Sequence, residues 1–187
     1  MITAIIVIVV LVVVGLVLMG IYNRLVGLRQ NSNQAFADID VQLQQRRDLI
    51  PNLVETVKGY ASHERGTLEA VIQARNSAAA ANTVGEKVHA ENMLTGALRQ
   101  LFALSEAYPD LKANQNFLQL QSEIGDIENK LASARRFFNN AVSEYNAAIQ
   151  QFPAVLVAGM LGFREREFFD VGDDNRADLN VAPAVKF

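Results

Sequence analysis

The chain has 187 residues, half of them hydrophobic, with no cysteine, no tryptophan and a formal net charge of -3 at pH 7. That length allows one domain of moderate size plus an accessory segment. Disulfide chemistry is excluded, and the slightly acidic balance offers none of the basic face that nucleic-acid binders carry, so no nucleic acid is expected among the partners.

The run Ile2 to Ile21 holds no charge and is almost purely aliphatic, about the length that crosses a hydrocarbon core of roughly 30 Å. No Lys or Arg precedes it, it is too long for a signal peptide, and no small-x-small cleavage site follows, so residues 1–22 read as a retained transmembrane anchor. Arg24 and Arg29 flank its C-terminal end, and the positive-inside bias places the main domain in the cytoplasm rather than the periplasm.

Apolar spacing of three and four then continues from Tyr22 through Leu25, Leu28, Ala35, Ile39 and Leu43 to Ile50, Leu53, Val57 and Tyr60, so the anchor passes directly into a first soluble helix. Pro51 removes one backbone donor and crowds the carbonyl of Arg47, which predicts a kink or break near Asp48 to Pro51. Ser62 is the expected cap of a second helix through Leu68, Val71, Ile72 and Arg75. Thr83 and Glu86 have capping-box spacing and open a third helix with Val88, Leu94, Leu98, Leu101, Phe102 and Leu104 inward; Tyr108-Pro109-Asp110 stops it.

The fourth helix, capped by Asn114, carries an unbroken stripe from Phe117 and Leu120 through Ile124, Ile127, Leu131, Phe138 and Tyr145 to Phe152, roughly 54 Å at about 1.5 Å per residue. Beyond Phe152-Pro153 the apolar stretch Ala154 to Phe163 forms a short C-terminal helix, followed by Arg164-Glu165-Arg166-Glu167 and Phe168-Phe169. Residues 170–187 lack periodicity and read as an extended or disordered tail. The expected fold is all-α: a transmembrane helix running into an antiparallel up-and-down four-helix bundle over residues 23–169.

Beside the stripe of the fourth helix lies a polar line, Glu128, Arg135, Asn139 and Asn146, nearly superposed at 100° per residue. Asparagine is a poor helix former, so something must compensate. The expectation is a structural polar network in which this line, with Arg47 and Asp48, makes hydrogen bonds that set which helix packs where. For the Arg46-Arg47 pair the partners considered are Asp48 or Glu55 nearby, Glu128 across the bundle, and anionic lipid.

Catalytic patterns do not assemble. His63-Glu64 opens like a zincin helix, but Thr67 stands where the second histidine belongs. Glu86-Lys87-Val88-His89 has the Glu-x-x-His spacing of di-metal bundles, in a single copy where two and further glutamates are needed. There is no cysteine nucleophile, no serine elbow and no phosphate loop. No enzyme activity, metal or cofactor is expected.

The runs Tyr22-Asn23-Arg24-Leu25-Val26, Ile39-Asp40-Val41-Gln42-Leu43, Arg47-Asp48-Leu49-Ile50-Pro51-Asn52-Leu53-Val54, Val57-Lys58-Gly59-Tyr60-Ala61, Tyr108-Pro109-Asp110-Leu111-Lys112-Ala113 and Ala134-Arg135-Arg136-Phe137-Phe138-Asn139-Asn140 resemble the bacterial LemA family. So does Phe152-Pro153 with the later Gly162-Phe163. The resemblance spans roughly residues 20 to 170 in collinear order, far more specific than one short motif. It implies a single-pass helical bundle in the bacterial inner membrane and no reaction; magnetosome-associated members of the family hint at organising membranes.

The functional expectation is a membrane-anchored, non-enzymatic scaffold that self-assembles as a homo-oligomer and shapes the bilayer. The alternative is an adaptor presenting partners to another membrane protein such as a protease. If the four helices alternate in direction, the end of the fourth returns beside Tyr22 at the membrane surface. Val155, Leu156, Met160, Leu161, Phe163, Phe168 and Phe169 are then the candidate interaction surface, facing lipid or a neighbouring subunit.

Overall fold

The computed structural model describes residues 1–169, and the tail 170–187 lies outside the described residues. The described residues form five α-helices and one 3-10 turn, with no strand among them. The helices are α1 (Ile2–Lys58), α2 (Arg65–Ala80), α3 (Val84–Ser105), α4 (Pro109–Lys112) and α5 (Gln115–Gln150), and the 3-10 turn is Ala154–Leu156. The described residues divide into two compact units, one formed by 1–41 with 131–168, the other by 42–130 with Phe169.

In the second unit the last part of α1, α2, α3 and the first half of α5 share one apolar core. Ile50, Leu53, Val57, Leu68, Val71, Leu94, Leu98, Leu101, Phe117 and Ile124 meet there. Each helix therefore buries most of the stripe its spacing defined, the usual source of helix stability in a folded domain, although Ile72 of α2 and Tyr60 past the end of α1 stay exposed. Arg46 of α1 pairs with Glu128 of α5, whereas Tyr60 beyond α1 accepts a hydrogen bond from Asn114 just before α5. One helix ascends as the other descends, so they are antiparallel.

Helix ends follow local chemistry with one exception. Thr83 Oγ1 accepts from the Glu86 backbone N–H at 3.2 Å and the Glu86 carboxylate accepts from the Thr83 N–H at 3.0 Å, a complete capping box. Those backbone bonds, Thr83 first and Asn82 second, hold the Glu86 carboxyl below its ordinary pKa. Asn114 caps α5 by accepting from the Phe117 N–H at 3.0 Å. Ser62, the expected cap of α2, does not serve. The helix starts three residues later behind Glu64, which makes no side-chain cap and instead accepts a hydrogen bond from the Tyr108 hydroxyl at 3.0 Å, raising that phenol's pKa.

The predicted break at Pro51 is also absent, since α1 stays helical through it to Lys58. The proline cannot bond the Arg47 carbonyl. That acceptor is taken across the unit by Arg75 of α2, whose Nε donates to it at 3.2 Å. Arg47 reciprocates by donating to the Ala78 carbonyl in the last turn of α2, at 3.1 Å, one of the carbonyls a helix end leaves without an internal partner.

In the first unit α1 and the second half of α5 pack side by side. Phe36 meets Phe138 with ring centroids 5.4 Å apart, and Leu25 shares a core with Tyr145 and Ile149, so these segments are antiparallel too. The short C-terminal helix reduces to the 3-10 turn and successive turns. They lay Ala154, Ala158 and Phe163 onto the same core.

Candidate functional site

Three helices of the second unit converge on Arg46. Its guanidinium donates to Glu91 Oε2 at 3.1 Å, to Thr95 Oγ1 at 3.0 Å and to Glu128 Oε1 at 2.7 Å. Arg46 and Glu91 are each only 1% exposed, while Glu128 sits at the rim with 46% of its side chain exposed. Glu91 and Thr95 are four apart on α3, so they reach the fork from one helical face. The one guanidinium thereby ties α1, α3 and α5 together at a single buried point.

Of the residues expected in the polar network, Glu128 reaches this centre, and of the Arg46-Arg47 pair weighed as its partner it takes Arg46. Arg47 turns toward α2, and the exposed Asp48 accepts from Gln44 at 2.7 Å. In the first unit Arg135 and Asn139 are half-buried and both are partnered. Among the described residues Asn146 bonds the C-terminal segment and no neighbouring helix. Its amide donates to the Arg166 carbonyl and accepts from the Arg166 N–H, both at 2.9 Å, pinning the C-terminal segment to α5. The Arg166 guanidinium closes the latch on α1, donating to Ser32 Oγ and Asn33 Oδ1, each at 2.6 Å, and to the Arg29 carbonyl at 3.3 Å. Arg46 is weighed with Arg47 as a partner of Glu128 from the sequence, whereas Glu91, Thr95, Ser32 and Arg166 are not singled out there as site residues.

The candidate interaction surface divides. Phe163 and Phe169 are buried, which corrects their assignment to a surface. Gly162 adopts φ +78, a conformation that costs an L side chain. It swings Phe163 inward, where the ring meets Tyr22 edge-on at 5.6 Å and lies 5.2 Å beneath the Arg29 guanidinium. Val155, Leu156, Met160, Leu161 and Phe168 do face outward, Met160 at 89% exposure, and Phe152 joins them at 79%. Between this turn and α1 lies an apolar hollow of about 410 Å³ lined by Leu18, Met19, Tyr22, Val157, Met160 and Leu161.

The fold and these two features define an all-α helical bundle whose N-terminal helix alone, among the described residues, is long and apolar enough to cross a membrane. The family model described as LemA family matches residues 35–187, and the chain belongs to that family. It is 23% identical over 174 residues to magnetosome protein MamQ of Magnetospirillum gryphiswaldense, covering 79% of this chain and 64% of that one. Identity to magnetosome protein MamQ 1 of Paramagnetospirillum magneticum is 24% over the same shares of each chain. Protein LemA of Metamycoplasma hominis is 26% identical over 172 residues, 89% of this chain and 76% of the relative. The chain thus spans somewhat under two thirds of the length of its MamQ relatives.

Proposed function

We propose that this protein is a membrane-anchored, non-enzymatic scaffold of the bacterial inner membrane, with its bundle on the cytoplasmic side, that self-assembles and organises the bilayer around it. The observation that carries this reading is the concentration of exposed apolar side chains outside the span in the Phe152–Leu161 turn, beside the helix that carries the anchor. A soluble monomer seldom leaves such a patch open. Self-assembly draws on a different apolar contact, Phe137 of α5, 59% exposed. The likeness to relatives named magnetosome proteins supports the organising role.

Purified full-length protein in detergent, followed by reconstitution into vesicles, tests the reading. A discrete species above monomer mass and vesicles whose shape departs from spheres are expected, and Phe137→Asp is expected to reduce the oligomer. Self-assembly with no other protein present separates the scaffold from an adaptor. A strictly monomeric protein that leaves vesicles spherical would remove the proposal.

A further inference from the structure

The hollow beside α1 sets a depth as well as a surface. Val157, Met160 and Leu161 line it together with Leu18, Met19 and Tyr22, and Leu18 and Met19 belong to the last turn of the uncharged run that ends at Ile21. At about 1.5 Å per residue, Leu18 lies roughly 6 Å below Tyr22 along the helix axis. Whenever residues 2–21 cross a bilayer, the turn is held at that same level, below the helix's exit and within the leaflet.

We infer that the Phe152–Leu161 turn is a one-leaflet membrane wedge, seated among the upper acyl chains beside the anchor, with the hollow filled by lipid hydrocarbon. Its occupant is the bilayer and not a second protein. The turn's apolar surface continues the lipid-facing surface of the span without a polar break, because the hollow joining them is apolar. Met160, the most exposed large hydrophobic side chain of the turn, carries no cost in such a position. The charges above it match a headgroup layer. Arg24 and Arg29 are the only charged side chains in residues 1–37, and Arg164 follows the Phe163 ring that touches both Tyr22 and Arg29. Arg24 and Arg164 are both exposed, as basic groups that snorkel toward anionic headgroups would be. Apolar mass added to one leaflet only widens that leaflet, which bends a membrane toward the opposite side.

The inference rests on α1 crossing the bilayer and is independent of self-assembly, so the two can fail separately. The chain has no tryptophan, which makes an introduced one a unique reporter. Met160→Trp and Leu156→Trp in the full-length protein, reconstituted into phosphatidylcholine vesicles with brominated acyl chains, are expected to lose emission to the bromine and to be spared by aqueous iodide. Val41→Trp, on the exposed face of α1 about 28 Å beyond Tyr22, should do the reverse. Quenching of the turn reporters by iodide as strong as that of Val41→Trp overturns the wedge. So does protection from both quenchers, which would put a protein surface over the turn.

Discussion

Arg46 and Arg47 are chemically identical neighbours with opposite fates. Arg46 lies between Leu43 and Ile50 at spacings of three and four, on the buried stripe of α1, and Glu91 stands three before Leu94 on the stripe of α3. A cation and an anion each occupying a core position is a readable signal that they meet. Reading Arg47 into the network missed it because the pair was weighed by charge and not by helical phase. The consequence is testable. Arg46→Ala leaves the Glu91 carboxylate buried without its countercharge and should cost about 3–5 kcal/mol. Arg47→Ala gives up hydrogen bonds at a half-buried site and should cost about 1 kcal/mol. Denaturant unfolding of both variants in detergent, followed by helical circular dichroism, measures the difference; equal costs would show that the Arg46 cluster is not the anchor point of its unit.

At the scale of elements, α1 shows how a local rule is overridden. Proline inside a helix removes a donor and exposes a carbonyl, and that argument holds here except that Arg75 of α2 supplies the missing donor to Arg47. The compensation is invisible to any window centred on Pro51. It predicts a specific coupling: Arg75→Ala should cost about 1–3 kcal/mol in the natural background, where the Arg47 carbonyl would be left unsatisfied. With Pro51→Ala present, residue 51 regains its N–H and the same change should fall to about 0.5 kcal/mol. A double-mutant cycle with equal penalties in both backgrounds would sink this account. The C-terminal segment teaches the converse. Composition alone made Phe163 look like surface, and one positive-φ glycine before it turns the ring into the core.

For the molecule as a whole, residues 1–20 are exposed throughout and contribute nothing to either core. Deleting them should therefore release a soluble chain that keeps its helical circular dichroism and its unfolding midpoint within error. Loss of helix on that deletion would mean that the span and the bundle fold as one unit.

Fold class, helix order, the capping box at Thr83, the cap at Asn114 and the uncharged span were all determined by the sequence itself, because each depends on spacing or on contacts within a few residues. Chain direction added the return of the C-terminal segment to Tyr22, since short connections leave antiparallel neighbours little choice. Only the tertiary structure decided that Glu128 takes Arg46 and not Arg47 as its partner, that Asn146 holds an extended segment and not a helix, that Pro51 passes without a break, and that Phe163 is buried while Met160 stays open. Each of these turns on a partner 20 to 82 positions away in the chain or on a single backbone angle. Helical periodicity carries the face a residue occupies, and it holds no record of what stands opposite that face.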